Sequence, residues 1–121
     1  MTNYKNGDII LVLFPDSNLQ TAKKRPALIV QADNLETKLP QVIVALITSN
    51  MARAGHKSRV EILLNSPEGK QSGLQFDSVI VTDNLTTVHH APIDKVIGNL
   101  SSMKAIEQAL AHTFGLKLAD E

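Results

Sequence analysis

A chain of 121 residues can bury one core and is short for two, so a single domain over residues 1–121 is expected; it has 43% hydrophobic and 20% charged residues, as globular proteins do. Its 12 Lys and Arg balance 12 Asp and Glu, which argues against holding nucleic acid by bulk charge, and with no cysteine there is no disulfide framework, thiol nucleophile or cysteine-type zinc site. The longest apolar run, residues 9–14, is far below membrane-spanning length, and Met1-Thr2-Asn3-Tyr4-Lys5 lacks the apolar centre of a signal peptide; a cytoplasmic protein without membrane contact is expected.

After a turn-type Asn6-Gly7, residues 8–14 form a β-branched apolar run that suits a strand buried on both faces, and Pro15 ends it. Residues 16–24 are polar and read as a loop. A second apolar run covers residues 26–30, with Pro26 at the first position of the strand, where a missing N–H is tolerated. Residues 41–47 give a third strand, and Thr48-Ser49-Asn50 opens a loop reaching about Lys57. Arg59-Val60-Glu61-Ile62-Leu63 alternates as a strand with one wet face does, and Ser66-Pro67-Glu68-Gly69 reads as a turn. Residues 73–82, with Leu74, Phe76 and Val79-Ile80-Val81, read as one or two strands stopped by Asp83-Asn84. Short strands follow around Thr87-Val88-His89 and Lys95-Val96-Ile97. The period then changes: Met103, Ile106, Ala109-Leu110 and Thr113-Phe114 recur at helical spacing, behind Ser101-Ser102 as a cap and before Gly115 as a terminator. Many short strands and one late helix predict a mainly β fold, a small and strongly bent barrel-like sheet that hides its edges.

Charge is distributed unevenly. Six of the 12 basic residues fall in Lys23-Lys24-Arg25 and in Arg53, Lys57 and Arg59, with no acid between Asp16 and Asp33 or between Glu36 and Glu61. These stretches are either two solvated loops or a local phosphate-binding surface. Pro26 restricts Arg25 to extended backbone, so its guanidinium is presented from a rigid base; the plain alternative is a surface arginine beside a strand. His89-His90 point to opposite faces of a strand with no carboxylate cluster near them, so no metal site is expected. His112 reads as a helix-surface residue and His56 as a phosphate contact. Aromatic residues are only 3% of the chain, so stacking platforms for RNA bases have few candidates, and recognition falls to loop backbone and to Asn18, Gln20, Thr21 and Asn50.

The ordered set Gly7-Asp8-Ile9, Phe14-Pro15, Lys24-Arg25-Pro26-Ala27-Leu28, Leu46-Ile47-Thr48-Ser49, Gly73-Leu74, Asp83 and Ile97-Gly98-Asn99-Leu100 before a final helix resembles the PemK/MazF family of toxins of bacterial type II toxin-antitoxin systems. The resemblance runs from about Tyr4 to Leu116. It implies an SH3-like β-barrel with a C-terminal helix, a homodimer, a cognate antitoxin partner, and an endoribonuclease that cuts single-stranded RNA such as mRNA with no metal or other cofactor. By that resemblance Arg25 and Thr48 match catalytic positions and Asp83 matches a proposed one. Gln20, Thr21, Lys23, Lys24, Ser49, Asn50, Arg53, His56 and Lys57 are the expected RNA contacts. The chain departs from the family where Leu19-Gln20-Thr21 replaces a loop with histidine or glutamate, and where Val81 replaces an arginine. Arg25 and Thr48 suit phosphate stabilisation, whereas neither is an obvious base, which leaves Asp83 to orient Arg25 or accept a proton. The contrasting reading is a non-catalytic toxin on the same fold that acts on a protein target.

Overall fold

A computed structural model describes residues 4–15 and 18–118. The elements in chain order are β1 Asp8–Pro15, β2 Ala22–Ile29, β3 Gln41–Thr48, a short 3-10 turn Met51–Arg53, β4 Arg59–Ile62, α1 Pro67–Ser72, β5 Ser78–His89, β6 Ile93–Asn99 and α2 Lys104–Phe114. The strands make one antiparallel sheet in the order β4-β5-β3-β2-β1-β6. No hydrogen-bonded pairing joins β4 to β6 among the described residues, so the sheet is open where a closed barrel was expected.

Apolar residues on both faces of the central strands explain its stability. Ile9, Leu28, Ala45, Ile47 and Ile80 pack on one face under Ile106 of α2, while Ile10, Val12, Ala27, Ile29, Val42 and Val44 pack on the other against Val88 and Ile93. The start of the first strand is thus buried on both sides at Ile9 and Ile10, but the expected two-sided burial does not run its length: Leu11 is half-buried and Leu13 is exposed. Val88 of β5 and Ile93 of β6 reach the same cluster from opposite halves of the sheet, which therefore curls around it.

Several local expectations are corrected. Residues 22–24 are not loop but the start of β2, and Pro26 is its fifth residue rather than its first; it pairs with Leu11 of β1, and pairing with β3 begins only at the next residue, Ala27. Asp83-Asn84 do not stop a strand. They lie in a bulge within the single strand β5, because Leu46 faces Val81 and the adjacent Ala45 faces Leu85. The turn at Ser66 is the start of a short helix: Ser66 Oγ accepts the Gly69 N–H at 3.0 Å with Pro67 at the first helical position. Two α-helices thus occur among the described residues. At α2 the capping position is Met103, and Ser102 Oγ accepts only the Lys104 N–H at 3.3 Å. Of the polar loop 16–24, residues 16 and 17 lie outside the described residues.

Gly73 ends α1 with φ +75°, and a Cβ there would come 2.0 Å from the Ile97 carbonyl oxygen of β6. Gly115 ends α2 with φ +66° and open space around it. Gly115→Ala should therefore cost only the left-handed backbone term, about 1–2 kcal/mol. Gly73→Ala should cost more than that, since β6 must also move; equal losses in urea denaturation would contradict the close approach.

Candidate active site

The register of β2 on β3 sets the geometry. Ala27 faces Leu46, Leu28 faces Ala45 and Ile29 faces Val44, and there the pairing stops. Continued by two residues, that register would set Arg25 opposite Thr48. The ladder instead opens at Pro26, which has no N–H to continue it, and the first half of β2 pairs with β1 alone while the end of β3 pairs with β5. Between the parted strand ends lies a cleft of about 410 Å³ that includes Lys24, Arg25, Leu46, Thr48, Ser49 and Arg53, with Phe76 and Asn84 on its wall. Among the described residues its lining carries three cations and no carboxylate. A neutral chain thus presents a locally positive concave site.

Thr48 is half-buried at the last position of β3. Its Oγ1 accepts the Asn50 N–H at 3.1 Å, and Asn50 Oδ1 in turn accepts the Ala52 N–H at 3.1 Å, capping the 3-10 turn that carries Arg53. These two local bonds fix the loop from Thr48 to Arg53. With an oxygen lone pair occupied by backbone, the Thr48 hydroxyl keeps its proton for donation into the cleft.

The other expected contacts divide. Thr21, Lys23 and Asn18 line a second depression that shares Arg25 and Leu46 with the cleft, so the two form one continuous surface. Asn18 Oδ1 accepts the N–H groups of Gln20 (2.8 Å) and Thr21 (3.2 Å), giving that loop a fixed turn. Lys24 Nζ also lies 3.3 Å from Asp94, an exposed pair of little energetic weight. His56 and Lys57 are not in the cleft: the His56 ring meets the His112 ring edge-on at 6.0 Å, and Lys57 borders a hollow with Arg59 beside α2. His90 packs edge-on against Tyr4 at 5.0 Å.

Asp83 sits in the β5 bulge with its two oxygens accepting from Arg59 Nη2 (2.9 Å) and Nε (3.3 Å). The hydrogen-bonding guanidinium holds the Asp83 carboxyl below the ordinary carboxylate range, against partial burial, and Asp83 raises Arg59 further. Arg59 Nη1 also donates to the Arg53 carbonyl at 3.2 Å. Asp83 is thereby linked to the cleft through Arg59 and the backbone of Arg53. Next to it, Thr82 is wholly buried: its hydroxyl donates to the Ser58 carbonyl at 2.6 Å and lies 2.9 Å from Thr113 Oγ1 of α2, so the bulge is tied to both β4 and α2. Sequence reasoning missed Arg59 as the partner of Asp83, and placed Phe76 in a strand when it stands before β5 with its ring exposed. No periodic signal distinguishes Phe76 from a core residue.

A family model of the PemK-like, MazF-like toxins of type II toxin-antitoxin systems matches residues 5–114. An endoribonuclease MazF of Staphylococcus epidermidis is 33% identical over 119 residues, covering 96% of this chain and 95% of that protein. The Mycobacterium tuberculosis toxin MazF-mt6 superposes with a TM-score of 0.70 at 25% identity, over 92% of this chain and 99% of the toxin. A mycobacterial endoribonuclease solved with its cognate antitoxin superposes at 0.72 with 19% identity, over 95% and 98% of the two chains, a likeness of fold. The open, curled antiparallel sheet closed by a late helix is the fold these toxins share. The chain belongs to the PemK-like, MazF-like toxins of type II toxin-antitoxin systems.

Because Asp83 ionises more readily in the folded chain than in the unfolded one, its pairing with Arg59 stabilises the fold fully above the unfolded carboxylate pKa of about 3.9, and that contribution is lost as the pH falls through the lowered folded value. The stability gap between wild type and Asp83→Asn, read by urea unfolding, should be small, sensitive to salt, and should shrink as the pH falls below about 3.9. A gap unchanged from pH 7 to pH 2 would mean that the charge on Asp83 is not what holds Arg59.

Proposed function

We propose that this chain is a metal-independent endoribonuclease that cleaves single-stranded RNA, such as mRNA, and is neutralised by a cognate antitoxin. The observation that carries this reading is that Arg25 and Thr48 line one cleft at the opened end of the β2–β3 ladder, together with Arg53 and, among the described residues, no carboxylate. The names of the similar proteins, endoribonucleases and one bound to its antitoxin, support the same assignment.

The chemistry suits these groups. RNA brings its own nucleophile: the 2′-oxygen attacks the adjacent phosphorus and loses its proton, the bond to the 5′-oxygen breaks, and that oxygen takes up a proton. The products are a 2′,3′-cyclic phosphate and a 5′-hydroxyl. Arg25 neutralises charge building on the phosphoryl oxygens, and Thr48 donates to the same oxygens; both interactions strengthen towards the transition state. Thr21, Lys23, Lys24, Ser49 and Asn50 guide the strand along the continuous surface, with Gln20 in the same loop. Asp83, held below the ordinary carboxylate range by Arg59, is a weak proton acceptor; in this reading it is a positioning residue, acting through Arg59 on Arg53. His56 and Lys57, beside α2, would touch only an RNA segment that leaves the cleft.

The curled sheet, with Val88 and Ile93 closing one core, is read as an SH3-like barrel left open at one seam. Two such domains in a homodimer would join their clefts into a longer groove, which an antitoxin segment could fill.

Incubation of purified protein with single-stranded RNA in excess EDTA should give cyclic-phosphate ends. Arg25→Ala should lower kcat about 10²–10³-fold, as loss of one preorganised charge-stabilising donor does, and Thr48→Val should lower it by less. Absence of cleavage by wild type, or growth arrest on expression that survives Arg25→Ala, would move the function to a protein target. Light scattering at micromolar concentration should give twice the mass of one chain; a monomer would contradict the shared groove.

A further inference from the structure

Phe76 leaves 64% of its surface in water in a chain that has only three phenylalanines. Phe114 is also exposed, but it ends α2 and lies outside the cleft; Phe76 forms part of the wall that Arg25, Thr48 and Arg53 share. The backbone beneath the ring is fixed from two sides. The Ser78 hydroxyl donates to the Phe76 carbonyl at 2.8 Å, and Asp77 Oδ1 accepts the Leu64 N–H at 2.8 Å. An exposed ring on a pinned backbone is already ordered for contact, so little entropy is lost when something covers it.

We propose that Phe76 is the base-stacking platform of the cleft, receiving a nucleobase next to the phosphate held by Arg25 and Thr48. This rests on the ribonuclease reading of the site and adds to it a binding residue that the scarcity of aromatic residues in the chain does not suggest. The argument is one of complementary parts. Cations alone hold a phosphate backbone, and a neutral protein has few to spend; a ring beside them takes the π-face that each nucleotide offers alongside its phosphate. In a duplex those faces are buried in the stack, so a ring placed here favours unpaired RNA. Three cations in the lining, with no carboxylate among the described residues there, favour a nucleic-acid strand over an apolar protein segment as the group that covers Phe76. Stacking tolerates any base, so Phe76 contributes affinity and placement of the strand more than choice of sequence.

The test compares wild type, Phe76→Leu and Phe76→Trp on one single-stranded RNA, with Kd measured on the 2′-deoxy oligonucleotide of the same sequence, which lacks the nucleophile and is not cut. Phe76→Leu should raise KM and Kd about 5- to 150-fold, the range found for loss of one stacked base, with kcat nearly kept, and Phe76→Trp should restore both. A series of single abasic substitutions should show one position whose effect on Kd disappears in Phe76→Leu. Unchanged KM and Kd in Phe76→Leu, with wild type cleaving normally, would overturn the stacking role alone. So would a loss confined to antitoxin binding. If wild type neither binds nor cuts the RNA, the ribonuclease reading falls and the platform with it.

Discussion

The site depends on a bond that one residue cannot make. Between Ala27 and Ile29 the second and third strands pair in register, and one residue earlier Pro26 has no N–H to offer. The first strand accommodates this because Leu11 pairs with Pro26 from the other side, so β2 stays a strand while its contact with β3 ends. Two strands that part while each keeps its outer partner must leave a gap, and the residues that would have faced each other there are Arg25 and Thr48. A polar pair that a continuous ladder would set side by side on one sheet surface instead stands on two walls of a cleft.

The far wall is shaped by a second irregularity. Three residues of β5, Thr82 to Asn84, have no counterpart on β3, and such an insertion bends a strand and redirects its side chains. Here the redirected groups go three ways. Thr82 turns inward to Ser58 and Thr113, Asp83 turns to Arg59, and Asn84 reaches the cleft. The buried hydroxyl network matters because an unsatisfied polar group at that depth would cost more than the bulge gains; all three oxygens have partners. Asp83 then holds Arg59, whose third contact is the carbonyl of Arg53, so the bulge and the Thr48–Arg53 loop brace one another.

What was legible in the sequence follows from which interactions are local. The apolar runs of β1 and β3 and the helical spacing from Met103 to Phe114 announce themselves because burial imposes a period. Arg25 and Thr48 stand out through the ordered family pattern around them; without it, Arg25 beside Pro26 also reads as a surface arginine flanking a strand. The bulge was not legible: Asp83-Asn84 carries the same signal whether a strand stops or swells, and only the register against β3 decides between them. The Arg59–Asp83 pair spans 24 residues, a separation at which sequence offers no geometry. Phe76 was hidden for a different reason. Alternation with Leu74 sets it on a core-like pattern, yet it lies outside β5 and is 64% exposed.

A balanced total of charges and a cationic site are consistent once scale is considered. At physiological ionic strength charges beyond about 8 Å are largely screened, so a phosphate in the cleft would respond mainly to Arg25, Arg53 and Lys24, the last offset in part by Asp94, and hardly to more distant acids. Few cations mean few displaced counterions, and the salt dependence of binding should be shallow for a nucleic-acid-binding protein. Affinity must then come from groups that salt does not screen, namely hydrogen-bond donors fixed by their own backbone and an aromatic face. Thr48, whose oxygen is tied to Asn50, and Phe76, whose backbone is tied by Ser78, are both groups of this kind. On the proposed reading, the few charges of the site select the phosphate, and its fixed neutral groups decide where along the strand that phosphate lies.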